Sequence, residues 1–196
     1  MTAPRRPGRR PGASGARDDI LAAARELFAA RGFDGTTIRA VASVAGVDPA
    51  LVHHYFGSKQ HLFAEAVELP ADPHEVLAPV YDAPVDDLGR ALATALLALW
   101  DSPHRDRIVA LVRTRIAGDG ALLRTFLRDV ALGPLLERID VPTGSAAVRA
   151  ELVISQMAGI MVTRYLLELE PLASLPSERV VEIVAPTLQR YFTGDL

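Results

Sequence analysis

Apolar side chains in this chain recur every three to four positions rather than every two, the spacing that gathers them on one face of an α-helix. The first such stretch holds Ile20, Leu21, Ala24, Leu27 and Phe28. Asp18 and Asp19 stand in its expected first turn and Gly32 acts as a stop, which predicts a helix starting near Arg17. Thr36 or Thr37 can cap a short second helix running to Val44, and Gly46 supplies the left-handed residue of a tight turn. A third short helix begins near Asp48, with Pro49 in its first turn, and ends about Phe56, where Gly57-Ser58 breaks it. Ser58 caps a fourth, reaching about Leu69, with Leu62, Phe63, Ala66 and Val67 on one face and Pro70 and Pro73 at its end.

Four prolines then fall within residues 70–84, the mark of a connection or an interrupted helix. Five more helices are predicted over about 85–101, 104–117, 120–139, 145–169 and 177–192. They are separated by Pro103, by Gly118 and Gly120, by Pro142-Thr143-Gly144, and by Pro171 to Pro176. Gly133-Pro134 and Pro186 are expected to kink the helices that contain them. No run alternates convincingly over strand length, so the fold class is all-α with about nine helices. The divisions are an arm over 1–16, a helical module over 17–69, a connector over 70–84 and a second helical module over 85–196.

Residues 36–59, TTIRAVASVAGVDPALVHHYFGSK, have the helix, glycine turn, helix pattern of a helix-turn-helix, spanning about 37–56. Ile38, Val41, Ala42 and Val44 are its expected inward contacts from the first helix, and Val47, Leu51, Val52 and Phe56 those from the second. Asp48, Pro49, Ala50, His53 and His54 are then left outward, where a major groove would lie.

Composition narrows the classes. With 49% apolar and 23% charged side chains in 196 residues, the chain can bury a core. It has no cysteine, which removes disulfides, thiolate metal sites and a cysteine nucleophile, and fits a cytoplasmic location. The apolar windows Ala91–Trp100 and Met157–Val162 are shorter than the ~20 residues that cross a bilayer, so no membrane partner is expected. The formal net charge of −3 argues against nucleic acid as a whole-chain value, but it is split: residues 1–61 hold nine basic and five acidic side chains, residues 62–196 twelve and nineteen. Arg5, Arg6, Arg9 and Arg10 sit in a leader rich in proline and glycine, which reads as a disordered basic arm.

The segment RDDILAAARELFAARGFDGTTIRAVASVAGVDPALVHHYFGSKQHLFAEAV resembles the N-terminal domain of tetracycline-repressor-like (TetR) transcriptional regulators. The family pattern is met at Phe28, Gly32-Phe33, Thr36-Thr37, Val41-Ala42, Ala45-Gly46-Val47, Phe56 and Ser58-Lys59, over residues 17–67. One departure is that the reading helix ends His53-His54-Tyr55-Phe56 where the family commonly has Y-x-H-F. The resemblance implies a DNA-binding module over 17–69 and a ligand-binding and dimerisation domain over 85–196. Thr37 and Lys59 would contact phosphates, Thr37 doubling as an N-cap. Asp48, Pro49, Ala50, His53 and His54 would approach bases, unless Pro49 serves helix-start geometry alone. Arg39 would reach the backbone or a guanine, or remain a solvated charge, and Tyr55 would donate to a phosphate or pack against the first helix. The four arm arginines would enter a flanking minor groove or remain a polar leader.

For the second module, Trp100, Phe126, Met157, Met161 and Tyr165 are expected to line a mostly apolar effector pocket. Arg113, Thr114, Gln156 and Arg164 are its expected polar anchors. The last two helices resemble the pair that forms a four-helix bundle across a two-fold axis, with Val148, Leu152, Ser155, Gly159, Val162 and Leu166 at the interface. The function implied is a homodimeric repressor released from a palindromic double-stranded DNA operator by an apolar organic small molecule. The alternative is a helical-bundle enzyme or a small-molecule-binding protein without DNA binding. Against an enzyme, the sequence offers no convincing carboxylate pair, Ser/His/Asp arrangement or phosphate-cradling glycine loop. No cofactor is expected. His53, His54, His61 and Glu65 lie close in sequence, but no metal is expected there, since His53 and His54 project in different directions and no cysteine is available.

Overall fold

The computed structural model describes residues 13–117, 120–139 and 145–196, and these form two compact units that divide between Ala66 and Val67. Arg5, Arg6, Arg9 and Arg10, and the breakers Gly118 and Pro142-Thr143-Gly144, lie outside the described residues. No strand occurs among the described residues.

The first unit is built from α1 (Ala13–Arg31), α2 (Ile38–Ala45), α3 (Pro49–Phe56) and α4 (Lys59–Val67). α1 begins four residues before the expected start, taking in part of the expected arm and moving the exposed Asp18 and Asp19 out of its first turn. Its inward stripe is Ile20, Leu21, Ala24, Leu27 and Phe28, and it closes at Gly32, whose φ of 73° lets its N–H reach Phe28 O at 3.1 Å. Phe28, Phe33 and Phe63 form an aromatic cluster: Phe63 meets both others edge-on at 4.8 and 5.3 Å, while Phe28 and Phe33 stack at 5.9 Å.

Val44 departs from the expectation of an inward contact, being 53% exposed. On α2 the buried line is Val41 and Ala42, with Ile38 and Ala45 half-buried. At 3.6 residues per turn, Val44 lies well round from the centre of that line.

The second unit holds α5 (Pro73–Asp82), a 3-10 turn (Val85–Asp87), α6 (Leu88–Trp100), α7 (Arg105–Ala117), α8 (Ala121–Thr125), α9 (Gly133–Leu136), α10 (Ser145–Ile160) and α11 (Ser177–Thr193). α8 runs through a π-helical stretch, Phe126–Leu132, into α9, so they form one continuous helical run, and α10 continues as a second π-helical stretch, Met161–Leu166. α5 occupies the proline-rich stretch: Asp72 caps it through the His74 N–H at 2.8 Å, and Pro73 takes a first-turn position that needs no donor. It is the helix beyond the expected nine.

α6 and α11 form the central pair of this unit. A Cβ on Gly89 would stand 2.5 Å from Ala185 O and Gln189 N, so only glycine permits this approach. Gln189 closes the crossing, accepting from the Gly89 N–H at 2.9 Å and donating to Val85 O at 2.9 Å. Ser145–Leu166 is long and apolar enough, by length and composition, to cross a membrane, which the shorter sequence windows did not show. Here its Ala150, Val153, Met157 and Ile160 face the core, as in an amphipathic core helix.

Candidate nucleic-acid interface and an apolar cavity

The two threonines that open the helix-turn-helix divide the work. Thr36 is buried, 1% exposed, and its hydroxyl is within hydrogen-bond reach of Gly32 O at 2.9 Å and Leu27 O at 3.1 Å, tying the loop to α1. Thr37 is exposed and is the N-cap of α2, its Oγ1 accepting from the Ala40 N–H at 3.1 Å. Thr37 and Arg39 at this terminus are exposed, and a helix N-terminus open to solvent is a place that can receive a phosphate.

Gly46 ends α2 at φ 67°, ψ 32°, its N–H close to Ser43 O at 3.4 Å and the Val47 N–H bonded to Ala42 O at 3.0 Å. This compact turn launches α3. Asp48 caps α3 through the Ala50 N–H at 2.7 Å, and Pro49 sits in the first turn. Val52 and Phe56 are buried, leaving Ala50, His53 and His54 exposed. His53 Nδ1 lies 3.1 Å from Gly57 O; with Nδ1 as the donor, Nε2 is the nitrogen left to meet a ligand. Tyr55 is half-buried, its ring edge-on to His54 at 5.5 Å and to Phe56 at 6.2 Å.

Lys59 opens α4, an unfavourable place for a cation in the helix field. Its ammonium lies 4.2 Å from the Phe33 ring centroid, an attraction that offsets the field and holds the side chain over the aromatic cluster. Spacing alone did not show this contact; the signal was the aromatic after Gly32. Arg39 is exposed on α2. Among the described residues no group of three His, Asp or Glu is placed to hold a metal, and Glu65, one turn from His61 on α4, is paired with Arg17.

Within the second unit lies a cavity of about 260 Å³. Of the expected lining, Trp100, Phe126, Met157 and Met161 are there, joined by Leu69, Leu77, Leu92, Leu96, Ile108, Leu123, Ile154 and others of the same kind. The expected polar anchors are not. Arg113 and Thr114 are exposed on α7, Thr114 donating to its own helix at Ala110 O at 2.8 Å. Gln156 is one position from Met157, which turns it about 100° away.

Arg164 and Tyr165, in the π-helical stretch that follows α10, are buried but are not part of the cavity lining. Arg164 donates to Leu172 O and to Ser177 Oγ at 3.3 Å. The Tyr165 hydroxyl donates to Asp101 at 2.9 Å while its ring meets Trp100 edge-on at 5.7 Å. Burial, with the Asp101 hydrogen bond adding to it, raises the Tyr165 pKa above the ordinary tyrosine value of 10.0.

The outer face of α10 carries the expected interface residues. Val148 is 52% exposed, Ser155 and Gly159 are exposed, and Leu152, Val162 and Leu166 are half-buried. Ile183 of α11 is 54% exposed. Ala158 and Val162 of this helix also line the cavity.

Residues 20–66 match the family model for bacterial regulatory proteins of the tetR family, and residues 86–192 match that for the tetracyclin repressor-like C-terminal domain. The HTH-type transcriptional repressor NicS of Pseudomonas putida is 38% identical over 52 residues, 26% of this chain and 24% of that protein. KstR2, an HTH-type transcriptional repressor of Rhodococcus jostii, is 41% identical over 54 residues, 28% and 26% of the two chains. These alignments span about a quarter of each repressor's length. A solved TetR-family regulator from Streptomyces coelicolor A3 is 35% identical, covering 95% of this chain and 99% of that one with a TM-score of 0.44. The second domain match alone spans more than half of the sequence, and the chain belongs to the tetR family of bacterial regulatory proteins.

Proposed function

We propose that this protein is a sequence-specific DNA-binding repressor, acting as a homodimer in the cytoplasm and released from a palindromic operator when an apolar organic molecule fills the cavity of its second unit. The observation that carries the DNA reading is the outward face of α3, Ala50, His53 and His54, set beside the solvent-facing terminus of α2 that Thr37 caps. The terminus and Lys59 take phosphates, which set register; Ala50 suits a thymine methyl, and His53 Nε2 and His54 suit base edges. Asp48 and Pro49 serve mainly to start α3, since the Asp48 carboxylate is bonded to the Ala50 N–H. Arg39 and Tyr55 flank this surface as further backbone contacts, and the arm arginines as minor-groove contacts.

The exposed strip of α10 and α11 supports a two-fold interface, which would set two reading helices about one turn of DNA apart. Because Ala158 and Val162 belong both to the cavity wall and to the helix carrying that strip, filling the cavity shifts α10, and with it the spacing of the two reading helices. The effector can shift that equilibrium only by its differential affinity for the two states. Selection of bound fragments from genomic DNA at low salt, without added ligand, tests this. Recovery of a shared palindrome supports the reading, and recovery of no palindrome refutes it.

A further inference from the structure

The cavity is walled mostly by apolar side chains, so a molecule too large for its existing openings enters where that wall is thinnest. On the outer side of α5 and α6 lies a second hollow, a surface groove of about 500 Å³, floored by Ala91, Thr94, Ala95 and Ala98 of α6, with Pro79 of α5 on its other side. Val76 of α5 and Leu99 of α6 line both hollows, and among the described residues they alone do so. Both are half-buried. On this side, therefore, those two side chains stand between groove and cavity.

The α5 side of that seam is built to yield. Pro79 has no N–H, so the Glu75 carbonyl lacks its helical partner in the middle of a ten-residue helix. Beyond Pro79 the helix end is tied down: Arg138 donates to Tyr81 O and to Ala83 O at 2.7 Å, and the Tyr81 hydroxyl to Val130 O at 3.2 Å. Before it, residues 73–78 make no side-chain hydrogen bond or ion pair to another element among the described residues. We propose that the α5–α6 seam is the door of the cavity, with Val76 and Leu99 as its closing side chains and Pro79 as its hinge. This rests on the reading of the cavity as the effector site, and it assigns ligand exchange to the N-terminal half of α5.

The test uses the full chain and N-phenyl-1-naphthylamine, an uncharged probe that brightens in apolar surroundings. Equilibrium binding to the unaltered protein comes first; no binding overturns the effector-site reading, and the door falls with it. With binding established, stopped-flow mixing reports the door itself. Pro79→Ala restores a helical donor without touching the cavity, and is expected to slow association and dissociation together by at least about threefold with Kd nearly unchanged.

The chain has no cysteine, so Ala95→Cys can be labelled alone with a bulky maleimide. That label fills the groove and is expected to slow both rates by about tenfold or more, while the same label on Glu137→Cys, exposed and outside both hollows, leaves them unchanged. Unchanged rates with the Ala95 label, or equal slowing by the Glu137 label, would overturn the door; unchanged rates in Pro79→Ala would overturn the hinge.

Discussion

At the scale of single residues, Thr36 and Thr37 show how a repeated letter takes two tasks: one hydroxyl is sealed against Leu27 O and Gly32 O, the other caps α2 in solvent. Thr36→Val removes the buried hydroxyl that ties this loop to α1 and is expected to destabilise the first unit by about 1–3 kcal/mol. Thr37→Ala is expected to cost about 1 kcal/mol of stability and, in addition, to weaken operator binding. Chemical denaturation beside DNA titration separates the two, since Thr36→Val at a temperature where it is folded should bind DNA nearly as before. The sequence left the cap open between these two positions because both have the same chemistry. Only the path of the loop from Gly32 to Ile38 decides which hydroxyl faces inward.

Among elements, the recurring device is an arginine reaching across to the carbonyl end of another helix. Arg25 donates to Ala66 O near the end of α4, Arg138 to the end of α5, and Arg149 to Tyr191 O at 2.9 Å, Phe192 O at 3.2 Å and Gly194 O at 3.0 Å at the end of α11. A planar fork serves several carbonyls at once where an ammonium serves as a point, which suits a chain with one lysine and twenty arginines. Arg149→Met, which keeps much of the volume, is expected to lower stability by about 2–3 kcal/mol by stranding these carbonyls, read as a shifted urea midpoint. Burial of Tyr81 and Tyr165 raises both pKa values, so their neutral forms stabilise the fold fully below pH 10 and that contribution is lost as pH rises through the raised values.

The helices themselves were legible from periodicity, including both ends of α11 to within a residue. The π-helical stretches were not, and Arg164 and Tyr165, which lie in one of them, are absent from the cavity lining to which Met157 and Met161 belong. If the exposed strip of α10 is the proposed two-fold interface, Val148→Glu, which places a charge on it, should shift the protein from dimer to monomer in sedimentation, with no loss of helix content.

For the whole molecule, charge is the property most altered by where it lies. Residues 13–66 carry five basic and six acidic side chains, so the positive balance of the N-terminal region comes from Arg5, Arg6, Arg9 and Arg10. Deleting residues 2–12 is expected to reduce the slope of log K against log salt by up to about 3.6 per protomer, at about 0.9 per phosphate contact. An unchanged slope would remove the arm from binding. The sequence by itself determined the two helical modules, the helix-turn-helix and the apolar character of the second core, because periodicity, capping residues and glycine turns act through neighbours a few positions apart. That none of the expected polar anchors lines the cavity, which threonine caps, and which side chains stand between groove and cavity were decided only by the tertiary structure. Those properties depend on side chains brought together from distant helices, whose mutual rotation is set by packing.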